Sequence, residues 1–322
     1  MTAAVLPRSS LIQRLLVVHA GEDAVFDEPF ANLPQWFEPG DVLVVNDAAT
    51  LPASLPMQLH GVPGELRLVG VPEHGWVVLF GPGSWRQATE DRAAPAYVAV
   101  GDVVEVADRR LAVLEVSTIS PRLVRLALTL DDVLVHGRPV QYSYVPRRLR
   151  LDEVQTPYST RPWATEMPSA GRVLTPHLLQ SLRDRGVQVV SLTHGAGLSA
   201  TGDVDLDASL PLPERYEVPQ ATWAAVSGAQ RVVAVGTSVV RALESAVRGP
   251  LAGVTDLKIG PDTQLGVVDA LLSGMHEPGE SHFRMMAAFV DLDRLRRAVQ
   301  HAEQEGYSNH EFGDSTLLFR DR

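Results

Sequence analysis

The residues that follow the apolar run Arg231–Val235 could hold an anion or a sugar. The run predicts a buried strand, and Gly236-Thr237-Ser238 then begins a helix that continues to about Arg248. Free amides and hydroxyls at the start of a helix favour a carboxylate or ribose hydroxyls. Arg241 and Glu244 are three residues apart and share one helix face, where a surface ion pair is the alternative interpretation.

A second segment combines an acid, a histidine and a serine between glycines and prolines. Asp269, His276 and Ser281 lie here, after the apolar residues Val267-Val268. Histidine is the most frequent general acid or base in enzymes. A single histidine in a turn is more often structural, so this segment alone leaves both interpretations open.

Further polar groups follow two other predicted strands. Asn46-Asp47 come directly after Asp41–Val45, and His194 comes shortly after Val187–Leu192. Because α/β proteins place ligands at the carboxyl ends of parallel strands, polar residues after four strands predict a shared pocket.

Residues 55–140 predict a series of short strands separated by glycine and proline. Alternation of apolar and polar residues, as in Val104-Glu105-Val106, places one face inward and the other in water. A small antiparallel barrel is the favoured interpretation, and a sandwich is the alternative. The predicted strands are Glu65–Val69, Trp76–Phe80, Tyr97–Val100, Val103–Val106, Leu111–Val116 and Leu123–Leu128.

Strands alternate with helices in the flanking regions. Thr175-Pro176 begins one helix with a capping hydroxyl, and Asp293–Glu305 forms a last amphipathic helix. This alternation predicts an α/β fold with a mostly parallel sheet and helices on both faces. We therefore predict a discontinuous α/β catalytic domain of residues 1–54 and 145–322, with residues 55–144 as an inserted β-barrel domain.

The composition narrows the function classes. The chain has 322 residues and no cysteine, which excludes disulfides, thiolate metal sites and cysteine nucleophiles. Its net charge of −11 argues against a broadly electropositive nucleic-acid binder, although a local basic patch is compatible with it. No stretch has the length of a membrane span and Met1–Arg14 lacks signal-peptide features, so we expect a cytoplasmic protein without a membrane partner.

Three common types of site find little support in the sequence. The ten histidines show no metal-ligand spacing, so no metal is expected. Gly195-Ala196-Gly197 begins like a dinucleotide fingerprint, but the third glycine is misplaced and a plain glycine loop is favoured. No G-x-S-x-G sequence is present, which disfavours a serine hydrolase.

An ordered series of short motifs resembles the tRNA ribosyltransferase-isomerase family of queuosine synthesis. The series runs over most of the chain, and its order is more specific than any one motif. The matching stretches are Leu33-Pro34, Pro39–Asp47, Pro52-Ala53, Gln155-Thr156, Pro168–Gly171, Tyr216–Pro219, Ala234–Thr237, Arg241, Leu243–Ser245, Val268–Leu272, His276, Pro278, Ser281 and Phe312–Asp314.

The resemblance implies an α/β domain with an inserted β-barrel and an unusual use of S-adenosylmethionine. This co-substrate would donate its ribosyl part to a 7-aminomethyl-7-deazaguanine base in tRNA, with isomerisation and loss of adenine and methionine. The chemistry needs a base for the proton beside the sulfonium and a proton donor for adenine. It requires no metal or redox cofactor.

The resemblance also suggests roles for the candidate residues. His276 is the leading acid/base, with Asp269 or Glu214 orienting it. Gly236-Thr237-Ser238 would hold the carboxylate or the ribose, and Arg241 would clamp the substrate. The same pocket would include Asn46, Asp47, His194, Glu244 and Ser281.

Several positions depart from the family pattern. Arginines are replaced at Ala49 and Ser54, histidines at Val173 and Leu212, and a lysine by an acid at Glu280. Each lost phosphate contact would weaken tRNA binding. Two alternatives therefore stay open: a paralogue that acts on a small nucleoside or metabolite in the same pocket, and a non-catalytic binding protein.

Overall fold

The computed structural model describes residues 1–9, 11–21, 24–70 and 74–321. The strands are β1 (Thr2–Ala3), β2 (Arg14–His19), β3 (Val25–Pro29), β4 (Asp41–Asn46), β5 (Ala48–Thr50), β6 (Ser54–Leu59), β7 (Val62–Leu68), β8 (Trp76–Phe80), β9 (Val103–Val106), β10 (Arg109–Val116), β11 (Leu123–Leu126), β12 (Arg161–Ala164), β13 (Gln188–His194), β14 (Glu214–Glu217), β15 (Arg231–Val235), β16 (Ala252–Thr255), β17 (Ala270–Gly274), β18 (Ser308–Asn309) and β19 (Ser315–Phe319). The helices are α1 (Leu130–His136), α2 (Pro176–Asp184), α3 (Val204–Ser209), α4 (Gln220–Ser227), α5 (Thr237–Ala246), α6 (Ser281–Met286) and α7 (Leu292–Gln304).

A mixed sheet organises the α/β part of the molecule. Within the described residues it has nine strands in the order β16-β14-β13-β4-β15-β17-β19-β2-β3. The four central strands β13, β4, β15 and β17 are parallel to their neighbours in this group, whereas β14 and β19 pair antiparallel on either side. The carboxyl ends of the central strands therefore meet at one edge.

Helices cover both faces of this sheet because its strands are apolar on both sides. Along β4, Val42 and Val44 pack into a core shared with α4, α5 and α7. Leu43 and Val45 point the other way, into a core that includes the apolar face of α2. Such two-sided burial is typical of parallel strands under crossover helices, and the predicted α/β class is confirmed.

A closed antiparallel barrel forms from β6 to β11, in the order β10-β11-β8-β7-β6-β9. Alternation predicted its inward residues correctly: Val104 and Val106 are buried, whereas Glu105 is exposed. The ring of pairings leaves no open edge, so the sandwich alternative is wrong. The domain boundaries stay a prediction, and β6 begins at Ser54, one residue before the predicted start of the insertion.

Two strand predictions in the barrel differ from the structure. Tyr97–Val100 pairs with no strand among the residues that the structure describes. The side chain of Val98 is buried in the barrel core, whereas Tyr97 is 83% exposed. Burial of one side chain does not require a hydrogen-bonded ladder. Strand β6 was absent from the prediction because Pro56 interrupts its pattern; this proline faces solvent in the strand.

In the described part of the chain, no helix has the length and apolar character needed to cross a membrane.

Candidate functional site

Four neighbouring parallel strands lead to polar groups at one edge of the sheet. Asn46 and His194 are the last residues of β4 and β13, Gly236 follows β15, and His276 lies two residues beyond β17. Asn46 Nδ2 donates to the His194 carbonyl oxygen at 2.9 Å and to Ser238 Oγ at 3.2 Å. Its Oδ1 accepts the His194 amide at 2.9 Å. One buried amide side chain thus fixes the spacing of β4, β13 and α5.

The start of α5 exposes donors to this edge. Gly236 has a φ of +86°, in the left-handed region that favours glycine, and as the N-cap it has no side chain to cap the helix. The first amides of a helix have no intrahelical partner. Thr237 and Ser238 are partly accessible, so their amides and hydroxyls can meet an anion or a sugar.

Arg241 and Glu214 form a buried ion pair beside the helix start. Arg241 also donates to the carbonyl oxygens of Leu257 at 2.9 Å and Thr255 at 3.3 Å. The second Glu214 oxygen accepts the Gly197 amide at 2.5 Å. Burial lowers the pKa of Arg241 to about 10, so the guanidinium stays charged at neutral pH. Because its nitrogens are engaged and it is 3% exposed, Arg241 holds Glu214 in place and does not present the free clamp that we predicted.

His194 lies against this ion pair in a fully buried position. Its Nε2 is 3.4 Å from Glu214 Oε2, yet neither ring nitrogen has a hydrogen-bond partner among the described residues. Burial, reinforced by the positive charge of Arg241, lowers the pKa of His194 to about 3. The imidazole is therefore neutral at physiological pH.

Both ring nitrogens of His276 have partners. Neither partner is Asp269 or Glu214, the two acids that we predicted. Nδ1 lies 3.0 Å from Glu280 Oε2, and Nε2 lies 3.2 Å from Ser273 Oγ. The ring of His282 approaches to 4.7 Å between centroids. Burial raises the pKa of Glu280, but the hydrogen bond and charge of His276 outweigh this effect and lower it overall.

His282 is the third histidine of the site. Burial, together with the charges of His276 and Arg241, lowers the pKa of His282 to about 3. The Arg241 charge thus contributes to the lowered pKa of both His194 and His282. The candidate site combines two neutral imidazoles, an acid-bound histidine and one buried guanidinium.

Asp47 lies at the same edge but bonds mainly within the sheet. Its carboxylate accepts the hydroxyls of Thr193 at 2.6 Å and Ser191 at 3.2 Å. It also contributes, after burial, to the raised pKa of Tyr158. The side chain is partly accessible, so it can line the pocket while its orientation is fixed by β13.

Asp269 lies at the opposite edge of the sheet, and its predicted pairing with His276 is wrong. It precedes β17, where its carboxylate accepts the Val232 amide at 2.8 Å and lies 3.3 Å from an Arg320 nitrogen. A five-residue strand separates it from the site, a length of about 16 Å. Glu214 does not contact His276 either, because its oxygens are bound to Arg241 and Gly197.

Glu244 and Ser281 also lie apart from the cluster. Glu244 is fully buried and accepts the three backbone amides of residues 266–268 at 2.7–3.1 Å, so it anchors the loop before β17. Its ion pair is with Arg248, not with Arg241, and the surface-pair interpretation is wrong. Ser281 is exposed at the first position of α6.

The glycine loop after β13 has a structural role. Gly195-Ala196-Gly197 continues into irregular chain, and the next helix begins only at Val204, so the dinucleotide interpretation fails. A Cβ on Gly195 would lie 2.9 Å from the Trp163 carbonyl oxygen, and one on Gly197 would lie 2.9 Å from Glu214 Oε1. Gly195 thus permits close approach to the Trp163 backbone, and Gly197 permits close approach to the ion pair.

The sequence interpretation missed three residues around His276: Ser273, Glu280 and His282. Glu280 was noticed only as an acid in place of a lysine, although a residue four positions from a histidine is close enough to bond it. Among the described residues, no group of three or more histidines or acids has a geometry that could hold a metal ion.

Two further acids were missed near Tyr142. Burial raises the pKa of Glu311 to about 7 and also raises that of Glu166. Burial, followed by the charges of these two acids, raises the pKa of Tyr142. One Glu311 oxygen is buried without a hydrogen-bond partner in the described part of the chain.

Glu311→Gln is expected to flatten the dependence of stability on pH. The unfolded-state pKa of Glu is about 4.3, so between that value and about 7 the folded protein retains a proton that the unfolded chain has lost. The free energy of unfolding of the wild type therefore falls as the pH rises through this window. Denaturant unfolding at pH 5 and pH 7.5 should show a smaller loss for Glu311→Gln. The exposed Glu305→Gln is the control, and an equal loss in all three proteins would refute the effect.

Comparison with known proteins gives consistent matches along the chain. The model of a family described as "Queuosine biosynthesis protein" matches residues 3–318. An S-adenosylmethionine:tRNA ribosyltransferase-isomerase of Thermus thermophilus is 33% identical over 95% of this chain and 92% of its own length. The enzyme of that name from Thermosynechococcus vestitus is 32% identical over 95% and 88%, respectively.

A solved structure has a similar fold. It is a crystal structure of S-adenosylmethionine tRNA ribosyltransferase from Thermotoga maritima, with a TM-score of 0.54 and 24% identity. The superposition covers 98% of this chain and 96% of that chain.

Proposed function

Because the chain belongs to the queuosine biosynthesis protein family, we propose that it transfers and isomerises the ribosyl group of S-adenosylmethionine onto 7-aminomethyl-7-deazaguanine in tRNA. Adenine and methionine would be released, and epoxyqueuosine would result. The observation that carries the proposal is the convergence of Asn46, His194, Gly236 and His276 at the carboxyl edge of four adjacent strands.

The start of α5 is the proposed holder of the co-substrate. Its partly accessible amides and hydroxyls, at Gly236-Thr237-Ser238, suit the methionine carboxylate or the ribose hydroxyls. Asn46 fixes Ser238, and the Arg241–Glu214 pair fixes the loop that faces the helix start. Rigid placement of the sugar is what the reaction needs, because its bonds must align before proton transfer.

His276 is the proposed proton-transfer residue. Its side chain is partly accessible, whereas His194 is fully buried. Nε2 would take the proton from the carbon beside the sulfonium, and the resulting imidazolium would be the acid for departing adenine. This use of one residue as base and then acid keeps the proton balance closed.

The acceptor proposed is tRNA in the cytoplasm, in spite of the acidic net charge. Two of the four positions that lack a family arginine or histidine are apolar here for structural reasons. Val173 is 4% exposed in the core beneath α2, and Leu212 packs against the barrel core. A histidine at the buried position of Val173 could not supply a phosphate contact in this fold, so the loss of surface charge is smaller than the sequence indicated.

The test is product analysis after incubation with S-adenosylmethionine and one of three acceptors: deazaguanine-bearing tRNA, the free aminomethyl-deazaguanine nucleoside, or none. We expect adenine and methionine in stoichiometric amounts with the tRNA, and a gel shift at low salt. Turnover only with the free nucleoside would replace tRNA by a small acceptor. Absence of both products in every arm would overturn the enzymatic function.

A further inference from the structure

His276 has an unusually complete set of partners. Glu280 lies on Nδ1 at 3.0 Å and Ser273 lies on Nε2 at 3.2 Å, so each ring nitrogen has a different kind of group. Ser273 belongs to the buried strand β17, whereas Glu280 is the N-cap residue of α6. The imidazole is therefore held between a rigid strand and a helix start.

The two partners impose different proton positions. A carboxylate only accepts hydrogen bonds, so Nδ1 must carry a hydrogen when it is bonded to Glu280. The neutral ring then has an unprotonated Nε2, to which the Ser273 hydroxyl can donate. The hydroxyl can also rotate and accept, so it suits Nε2 both before and after protonation.

We propose that Glu280 is a positioning residue for His276, which fixes the Nδ1–H tautomer and stabilises the imidazolium formed when Nε2 takes a proton. The catalytic consequence rests on the proposed function, whereas the tautomer does not. The proton moves from the substrate carbon to Nε2, and the Nδ1–H stays on the ring throughout. Glu280 remains a carboxylate in every step.

The surroundings of His276 leave Glu280 as the charge that decides the effect. Among the described residues, the other titratable group whose ring lies against that of His276 is His282, which is neutral at physiological pH, partly because of the Arg241 charge. Gly274 has no side chain, and a Cβ there would lie 3.9 Å from Nε2. Under the proposed function, the substrate would approach Nε2 over this glycine, beside the Ser273 hydroxyl.

Glu280→Gln tests the proposal, with Glu277→Gln as the matched control. Glu277 lies in the same turn but bonds to Asn309 and the amino terminus, away from His276. We expect Glu280→Gln to lower kcat roughly 10-fold with little change in KM for S-adenosylmethionine.

Nitrogen-15 NMR of the histidine rings gives a readout that does not depend on turnover. The His276 signals, assigned by their loss in His276→Gln, should show the Nδ1–H tautomer in the wild type and in Glu277→Gln. A mixture of tautomers is expected in Glu280→Gln. If the tautomer is unchanged in Glu280→Gln, the proposal is overturned, even if the enzyme turns over. If the wild type releases no adenine but the tautomer shift occurs, the proposed function fails and the positioning role stands.

Discussion

Replacement of His276 by alanine is expected to lower kcat for adenine release by roughly 10²- to 10⁴-fold, the usual contribution of a positioned acid/base. The groups proposed to hold the substrate, at Gly236-Thr237-Ser238, are on another element, so KM should change little. The loss should fall on kcat because His276 acts on the proton in the transition state and adds little to ground-state binding. Rapid-quench measurement of adenine release separates this effect from product release.

His282→Ala and His194→Ala are the comparisons that make the His276 result specific. His282 contacts the His276 ring, and His194 is buried behind Glu214. If His276 is the proton-transfer residue, only His276→Ala should remove both limbs of the pH–rate profile. His282→Ala and His194→Ala should keep them. A His276→Ala variant with wild-type kcat would move the role to another residue of the cluster.

The sequence allowed a prediction of most elements that position the site, because local rules govern them. Thr175 caps α2 and Pro176 occupies its first turn, as the pattern indicated. The apolar runs Asp41–Val45, Val187–Leu192 and Arg231–Val235 all form strands, and polar residues follow their ends. The predicted family resemblance is confirmed by the match over residues 3–318.

The partners of each polar residue could not be predicted, since they depend on strand order and not on spacing. Arg241 was expected to clamp the substrate, with a surface pair to Glu244 as the alternative, yet it pairs with Glu214, 27 residues away on strand β14. The sequence contains no signal that β14 would lie beside β13. Tertiary proximity thus overrides helical spacing for this residue.

The error at Asp269 has a different origin. The residues from Asp269 to Ser281 were interpreted as one loop, although Ala270–Gly274 is a buried strand within it. An acid that precedes a parallel strand must lie at the edge opposite to a histidine that follows it. Because the start of this strand was not recognised, Asp269 was predicted at the wrong edge of the sheet. The short run of alanine, leucines and serine has little alternation, which is why its strand character was not recognised.

Arg241→Met is expected to be the most destabilising single change at the site. It leaves Glu214, which is 7% exposed, without its counter-charge, and it removes the donors to the Leu257 and Thr255 carbonyl oxygens. Breaking a buried ion pair by removal of one partner costs on the order of 3 kcal/mol of unfolding free energy. Glu214→Gln also leaves a buried charge without its partner, but it should cost less, because the amide oxygen can still accept a hydrogen bond from Arg241 and the carbonyl contacts of Arg241 are kept. Denaturant unfolding measures both values.

The double variant Glu214→Gln, Arg241→Met separates the structural contribution of the pair from its functional one. With no charge left buried, it should recover a large part of the stability lost in Arg241→Met, because desolvation of an unpaired charge is what makes the single change costly. Adenine release should stay low, since the Gly197 loop and the electrostatic link between His194 and His282 are no longer maintained. Recovery of activity together with stability would mean that the ion pair only supports the fold. No recovery of stability would mean that the carbonyl contacts of Arg241, and not its charge, dominate its contribution.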